Sequence, residues 1–125
     1  MNLSNNIKID VTTRYLKEQS DPFTRRFAFA YTVEIINEGV ESVKLLNRYW
    51  HIADDNDHVQ EVQGEGVIGK QPEIPPGSSF KYTSGTVIST EVGTMKGNYE
   101  MLWASGEKFK APIPAFLLAI PHTVH

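Results

Sequence analysis

If this chain performs any chemistry, it has to come from a short inventory of residues. Gly64, Gly66 and Gly69 stand in a G-x-G-x-x-G string, with Lys70 directly after it. In dinucleotide-binding folds such a string lets backbone N–H groups approach a pyrophosphate at the start of a helix. Here Pro72 and Pro75 follow too soon for a helix to form. Gly64, Gly69 and Lys70 also fit the P-loop spacing G-x-x-x-x-G-K, but Gln71 stands where a Ser or Thr hydroxyl would meet magnesium. Both nucleotide folds are therefore set aside. A narrower use remains: successive N–H groups of a glycine loop form an anion-binding concavity without a helix, and Lys70 adds positive charge. The ligand would be phosphate or pyrophosphate. Against it, Glu65 and Glu73 place negative charge close by, and glycines in long loops commonly serve tight turns and close backbone packing.

His51, Asp54, Asp55, Asp57 and His58 cluster in sequence, and imidazole with carboxylate can hold cobalt, zinc or manganese. Their spacing matches no established motif, and the Asp run lacks the glycine and distal Glu of a calcium loop. Asp and Asn as turn formers is the favoured reading, so no metal site is assigned. His122 and His125 sit at the terminus. There is no cysteine, hence no thiol nucleophile, and no G-x-S-x-G elbow. Ser84 and Thr83 beside Gly85 suit a strand-end turn better than catalysis. No catalytic residue and no cofactor can be named, and an enzyme is the less favoured reading.

The elements that would position these residues are strands. Apolar residues alternate from Ile7 through Ile9 to Val11, the period that puts one side of a strand on a core. Phe27, Phe29, Tyr31, Val33 and Ile35 repeat that pattern with aromatic and β-branched side chains. Asn37-Glu38-Gly39 reverses the chain. A strand from about Val43 to Ile52 carries Leu46, Trp50 and Ile52 on one side and Leu45, Tyr49 and His51 on the other, as a central strand would. Ala53 to Asp57 turns into a short strand from Val59 to Gln63, and Gly64 to Gly77 is expected as a long shaped loop. Phe80 and Tyr82, then Met95, Tyr99, Met101 and Trp103, continue the alternation, with Gly97 suited to a bulge. Final strands run through Phe109 and through Phe116 to Ile120, with Pro112, Pro114 and Pro121 at breaks or edges. Trp50 and Trp103 are expected in the core. About seven or eight short strands without a helical period describe an all-β, immunoglobulin-like or fibronectin type III-like antiparallel β-sandwich.

Composition narrows the class further. The chain has 125 residues, 40% apolar and 22% charged, with a formal net charge of -3. One domain over 1–125 is expected. No basic face exists for a phosphate backbone, so nucleic acid is an unsuitable partner. Neither a secretory signal nor a membrane-length apolar run is present, so a cytoplasmic protein without membrane insertion is expected.

Gly64 to Gly77, followed by Phe80-Lys81-Tyr82-Thr83-Ser84-Gly85, resembles the hallmark of the bacterial ApaG family, also called CorD. Gly93 to Met101 is similar to that family's G-x-M-x-G-x-Y segment, and Ile113 to Leu118 to its closing strand. The resemblance implies a fibronectin type III-like sandwich. It also implies an association with cobalt resistance and magnesium efflux, and an interaction role like that of related domains appended to a eukaryotic F-box protein and a DNA-polymerase-delta-interacting protein. The leading functional expectation is a non-enzymatic module that presents loops and edge strands to a protein partner. The run Ala115 to Ile120 is a candidate for pairing two copies into a homodimer. The alternative is a phosphate-, pyrophosphate- or divalent-metal-binding protein of ion homeostasis.

Overall fold

The computed structural model describes residues 6–121, so His122 and His125 lie outside the described residues. Within them, eight strands form: β1 (Ile7–Tyr15), β2 (Phe27–Asn37), β3 (Val43–Asp54), β4 (Val59–Glu65), β5 (Glu73–Ile74), β6 (Ser79–Ile88), β7 (Val92–Trp103) and β8 (Lys108–Ala119). They build an antiparallel β-sandwich of the immunoglobulin and fibronectin type III kind. One sheet runs β1-β2-β6, the other β4-β3-β7-β8, and β5 pairs with β3 beyond the end of β4. Among the described residues no helix is long and apolar enough to cross a membrane.

The core follows the alternation. Phe27, Phe29, Tyr31, Val33 and Ile35 of β2 are buried against Trp50, Met95, Tyr99, Met101 and Trp103 of the facing sheet. Each such burial contributes about 1.5–3 kcal/mol. Trp50 meets Tyr31 and Phe116 edge-on, with ring centroids 5.2 and 5.8 Å apart, and Trp103 stacks on Phe109 at 5.1 Å.

Three segments depart from the sequence expectation. In β3, Leu45 rather than Leu46 shares the core face with Trp50 and Ile52, because a bulge between Leu45 and Asn47 shifts the register by one residue. The 64–77 stretch is not one loop: β4 extends to Glu65, β5 forms inside it, and Val67 and Ile74, each 1% exposed, enter the core. The closing segment is one strand, β8, rather than two. As a sheet edge it needs donors on one side only, so Pro112 and Pro114 are tolerated, and its register shifts opposite Met95 and Gly97.

The sandwich closes unevenly. β1 and β8 approach each other along one side. On the other side the inner-facing Gln60 and Val62 of β4, paired with Ile52 and Trp50, stay exposed, so a cleft opens between β4 and β6.

Asn37 ties the far end together. Fully buried, its Nδ2 donates to the carbonyls of Glu41 (2.8 Å) and Ile74 (2.9 Å), and its Oδ1 accepts from the Gly39 N–H (2.9 Å). Asn37→Ala strands a buried N–H and two carbonyls, so a loss of about 2–4 kcal/mol is expected, measured as a lower urea midpoint with an unchanged slope.

Candidate functional site

The bulge in β3 borders the site. Just beyond it, Arg48 shares the inner face with Trp50 and Ile52, and its neighbours across the ladder are Gly64 of β4 and Tyr99 of β7. An arginine is an unusual occupant of that face. A Cβ on Gly64 would stand 2.8–2.9 Å from the guanidinium, so glycine here leaves room for Arg48 to lie across β4 in this position. Arg48 Nη1 donates to the carbonyls of Gly66 (2.9 Å) and Glu65 (3.2 Å). It makes no ion pair among the described residues.

The same bulge anchors the glycine segment. The freed Leu46 carbonyl accepts the Gly66 N–H (2.8 Å) and Gln71 Nε2 (2.9 Å). Val67 and Lys70 then exchange backbone hydrogen bonds of 2.8 and 2.9 Å around Ile68 and Gly69, whose φ values of 44° and 76° define a two-residue type I′ turn. Ile68 is β-branched and left-handed, a conformation that costs of order 1–3 kcal/mol.

Arg48, Tyr31, Trp50, Gln60, Val62 and Ser84 surround a cleft of about 510 Å³ between β4 and β6. The type I′ turn borders an adjoining recess of about 210 Å³ that Tyr82 also lines. Neither holds an acidic side chain. Gln60 Nε2 donates to the Val87 carbonyl (3.3 Å) across the mouth. Behind the recess, the Tyr82 and Tyr99 hydroxyls are hydrogen-bonded to each other, linking the sheets. Burial pushes both phenols far above their ordinary range, and the nearby Arg48 charge only partly offsets this.

The residues singled out in the sequence fall in two places. Gly64, Gly66 and Gly69 lie together beside Arg48, while Lys70 is exposed. A Cβ on Gly66 would meet the Lys70 carbonyl at 2.1 Å. The N–H groups of Gly66, Val67 and Lys70 are taken by the chain itself, leaving those of Ile68 and Gly69 unpaired among the described residues. At the β3–β4 hairpin, His58 Nδ1 lies 3.4 Å from Asp54 Oδ2. Asp55 and Asp57 point into solvent and His51 sits mid-strand opposite Glu61. No three His, Asp or Glu side chains converge among the described residues. Asp54 is fully engaged: Ser89 Oγ donates to Oδ2 (2.7 Å), and the Asn56 and His58 N–H groups donate to Oδ1 (2.8 and 2.9 Å). Thr83 is hydrogen-bonded to Thr32 on the outer face, while Ser84 faces the cleft. Sequence reasoning missed Arg48. The available signal was a cation two residues before Trp50, on the side that alternation gives to Trp50 and Ile52.

The ApaG domain pattern matches residues 17–103 of the chain. Protein ApaG of Pseudomonas putida is 54% identical over 119 residues, covering 95% of this chain and 94% of that protein. Protein ApaG of Shewanella woodyi is 51% identical over 123 residues, 98% of each chain. Among solved structures, the putative ApaA protein from Bordetella pertussis superposes with a TM-score of 0.91 at 46% identity, covering 94% of this chain and 95% of that one. The X-ray structure of a Northeast Structural Genomics Consortium target gives 0.93 at 46% identity, over 99% and 94%.

Two measurements check this geometry. Tyr82→Phe or Tyr99→Phe alone is expected to cost about 1–3 kcal/mol by leaving one buried hydroxyl unmatched, whereas the double substitution costs no more than either single one. The hydrogen bond from Ser89, with the two backbone donors, holds the Asp54 carboxyl below its ordinary 3.8 although burial opposes it. Its ionised form therefore stabilises the fold fully above the unfolded value, and that contribution is lost as pH falls through the lower folded one. Asp54→Asn should lower the melting temperature at pH 7, with the gap closing below about pH 3.8.

Proposed function

The chain belongs to the ApaG family, and from that premise we propose that it is a non-enzymatic protein-interaction module. The observation that carries this is Phe23, a fully exposed aromatic on the short 3-10 turn Pro22–Thr24. An exposed phenylalanine gains little from water, and contact anchors are enriched in aromatic side chains. Its loop is rigid for a reason. Asp21 and Arg26 exchange backbone hydrogen bonds of 2.8 and 2.9 Å, and Ser20 Oγ donates to the Leu16 carbonyl while accepting the Ala28 N–H, both at 2.8 Å. A loop backbone already held in place loses less entropy on binding. Arg25 and Arg26 flank it in solvent, so the partner surface is an apolar pocket with an acidic rim. The proposed setting is the cytoplasm, and the association with cobalt resistance and magnesium efflux that the family resemblance implies is consistent with this module reading.

A second reading, phosphate or pyrophosphate at Gly64, Gly66, Gly69 and Lys70, draws support from the free N–H groups of Ile68 and Gly69. Its divalent-metal form would start from the Asp54–His58 pair.

The module reading is tested by affinity capture with the wild-type chain and Phe23→Ala. The variant should melt within about 0.5 kcal/mol of wild type and lose a specifically captured protein by more than about tenfold. If native mass spectrometry finds that Phe23→Ala dissociates a homodimer, the partner is a second copy. Equal capture by both proteins would remove Phe23 from the interface.

A further inference from the structure

The cleft between β4 and β6 has a chemistry that neither packing nor the partner surface at Phe23 uses. We propose that it binds a small organic anion, a carboxylate or phosphate monoester on a flat apolar body, with Arg48 as the anion anchor. Three independent features meet there. The first is charge: in a chain with 15 acidic and 12 basic residues, both parts of the cleft contain one guanidinium and no carboxylate. The second is the state of that guanidinium. Nη1 is tied to the carbonyls of Glu65 and Gly66, which fixes the plane, and the Nε and Nη2 N–H groups have no protein partner among the described residues. That remaining edge is the fork that meets a carboxylate or phosphate in two parallel hydrogen bonds.

The third feature is the lining. Tyr31 and Trp50, both buried, supply flat apolar walls, and Trp50 keeps an indole N–H without a partner among the described residues. Ser84 and Thr86 occupy inner-facing positions of β6, where a core strand would carry apolar side chains. Exposed Val62 and Ile68 rim the opening. A volume of about 510 Å³ is that of a small-molecule site. The arrangement differs from a phosphate cradle at the glycine segment, because the charge comes from Arg48 and the selectivity from the aromatic walls.

The test uses the full chain, labelled with nitrogen-15, titrated with benzoate, phenyl phosphate, the neutral benzamide and inorganic phosphate. Benzoate and phenyl phosphate are expected to shift the Trp50 indole and the Ser84 and Gly85 amides saturably. Benzamide and inorganic phosphate should bind there at least about tenfold more weakly, lacking charge and apolar body respectively. Arg48→Gln should abolish the preference for benzoate over benzamide. Val62→Glu keeps the Arg48 contacts and adds a negative charge at the rim, so it should weaken benzoate by about tenfold even if Arg48→Gln does not fold. Equal binding of benzoate and benzamide, benzoate affinity unchanged in Val62→Glu, or shifts confined to the Ile68 and Gly69 amides would each overturn the proposal.

Discussion

One extra residue in β3 sets the character of this sandwich. Without the bulge at Leu46, strict alternation would place Leu46, Arg48, Trp50 and Ile52 on one face and leave Val43 and Leu45 on the other. β3 would then split its apolar residues between core and solvent. The bulge brings Val43 and Leu45 to the inner face that Arg48, Trp50 and Ile52 already share. It also releases a carbonyl from the ladder, which the Gly66 N–H and the Gln71 side chain then occupy. The β3 contribution to the core and the docking of the 64–72 segment thus share one local irregularity, and the inward arginine stands directly beside it.

The unequal sheets decide what that arginine can do. Three strands face five, so the inner surface of β4 has no complete cover. A charge buried deep in the interior would be destabilising without a partner. At this margin the guanidinium reaches backbone carbonyls and the open cleft at once, and half-burial makes it tolerable. Deeper in, polarity is handled by pairing: the Tyr82 and Tyr99 hydroxyls satisfy each other, and Asn37 meets three backbone groups. Two indole N–H groups stand outside this pairing among the described residues: that of Trp103 in the depths, and that of Trp50, which lines the cleft.

Much of this architecture was legible in the sequence because burial and alternation are directly linked. The β2 run from Phe27 to Ile35, and the series Met95, Tyr99, Met101 and Trp103, needed no knowledge of neighbours. Gly97 was readable as irregular, and it is: its missing Cβ admits the Tyr49 carbonyl across the ladder. What could not be read were effects set by a second strand. Leu46 carries no mark of a bulge, Pro112 and Pro114 fit a break as well as an edge until β8 is seen to be an edge, and Val67 and Ile74 sit among glycines and prolines that mask two core residues. Phe23 was equally silent, since a lone phenylalanine in sequence gives no sign of pointing outward.

The glycine string shows most clearly why a motif has to be read through its surroundings. Gly64 leaves room for the guanidinium lying across it, Gly66 is required by the Lys70 carbonyl, and Gly69 by the positive φ of a two-residue turn. Each requirement is steric, and none involves a helix. Their spacing nevertheless has a functional consequence, because together these glycines hold the carbonyls of Glu65 and Gly66 where they can grip one edge of Arg48. A side chain at position 64 would push the guanidinium away, and one at position 66 would open the turn that borders the recess. The segment therefore acts on charge at one remove, by fixing the orientation of an arginine that lies sixteen positions earlier in the chain.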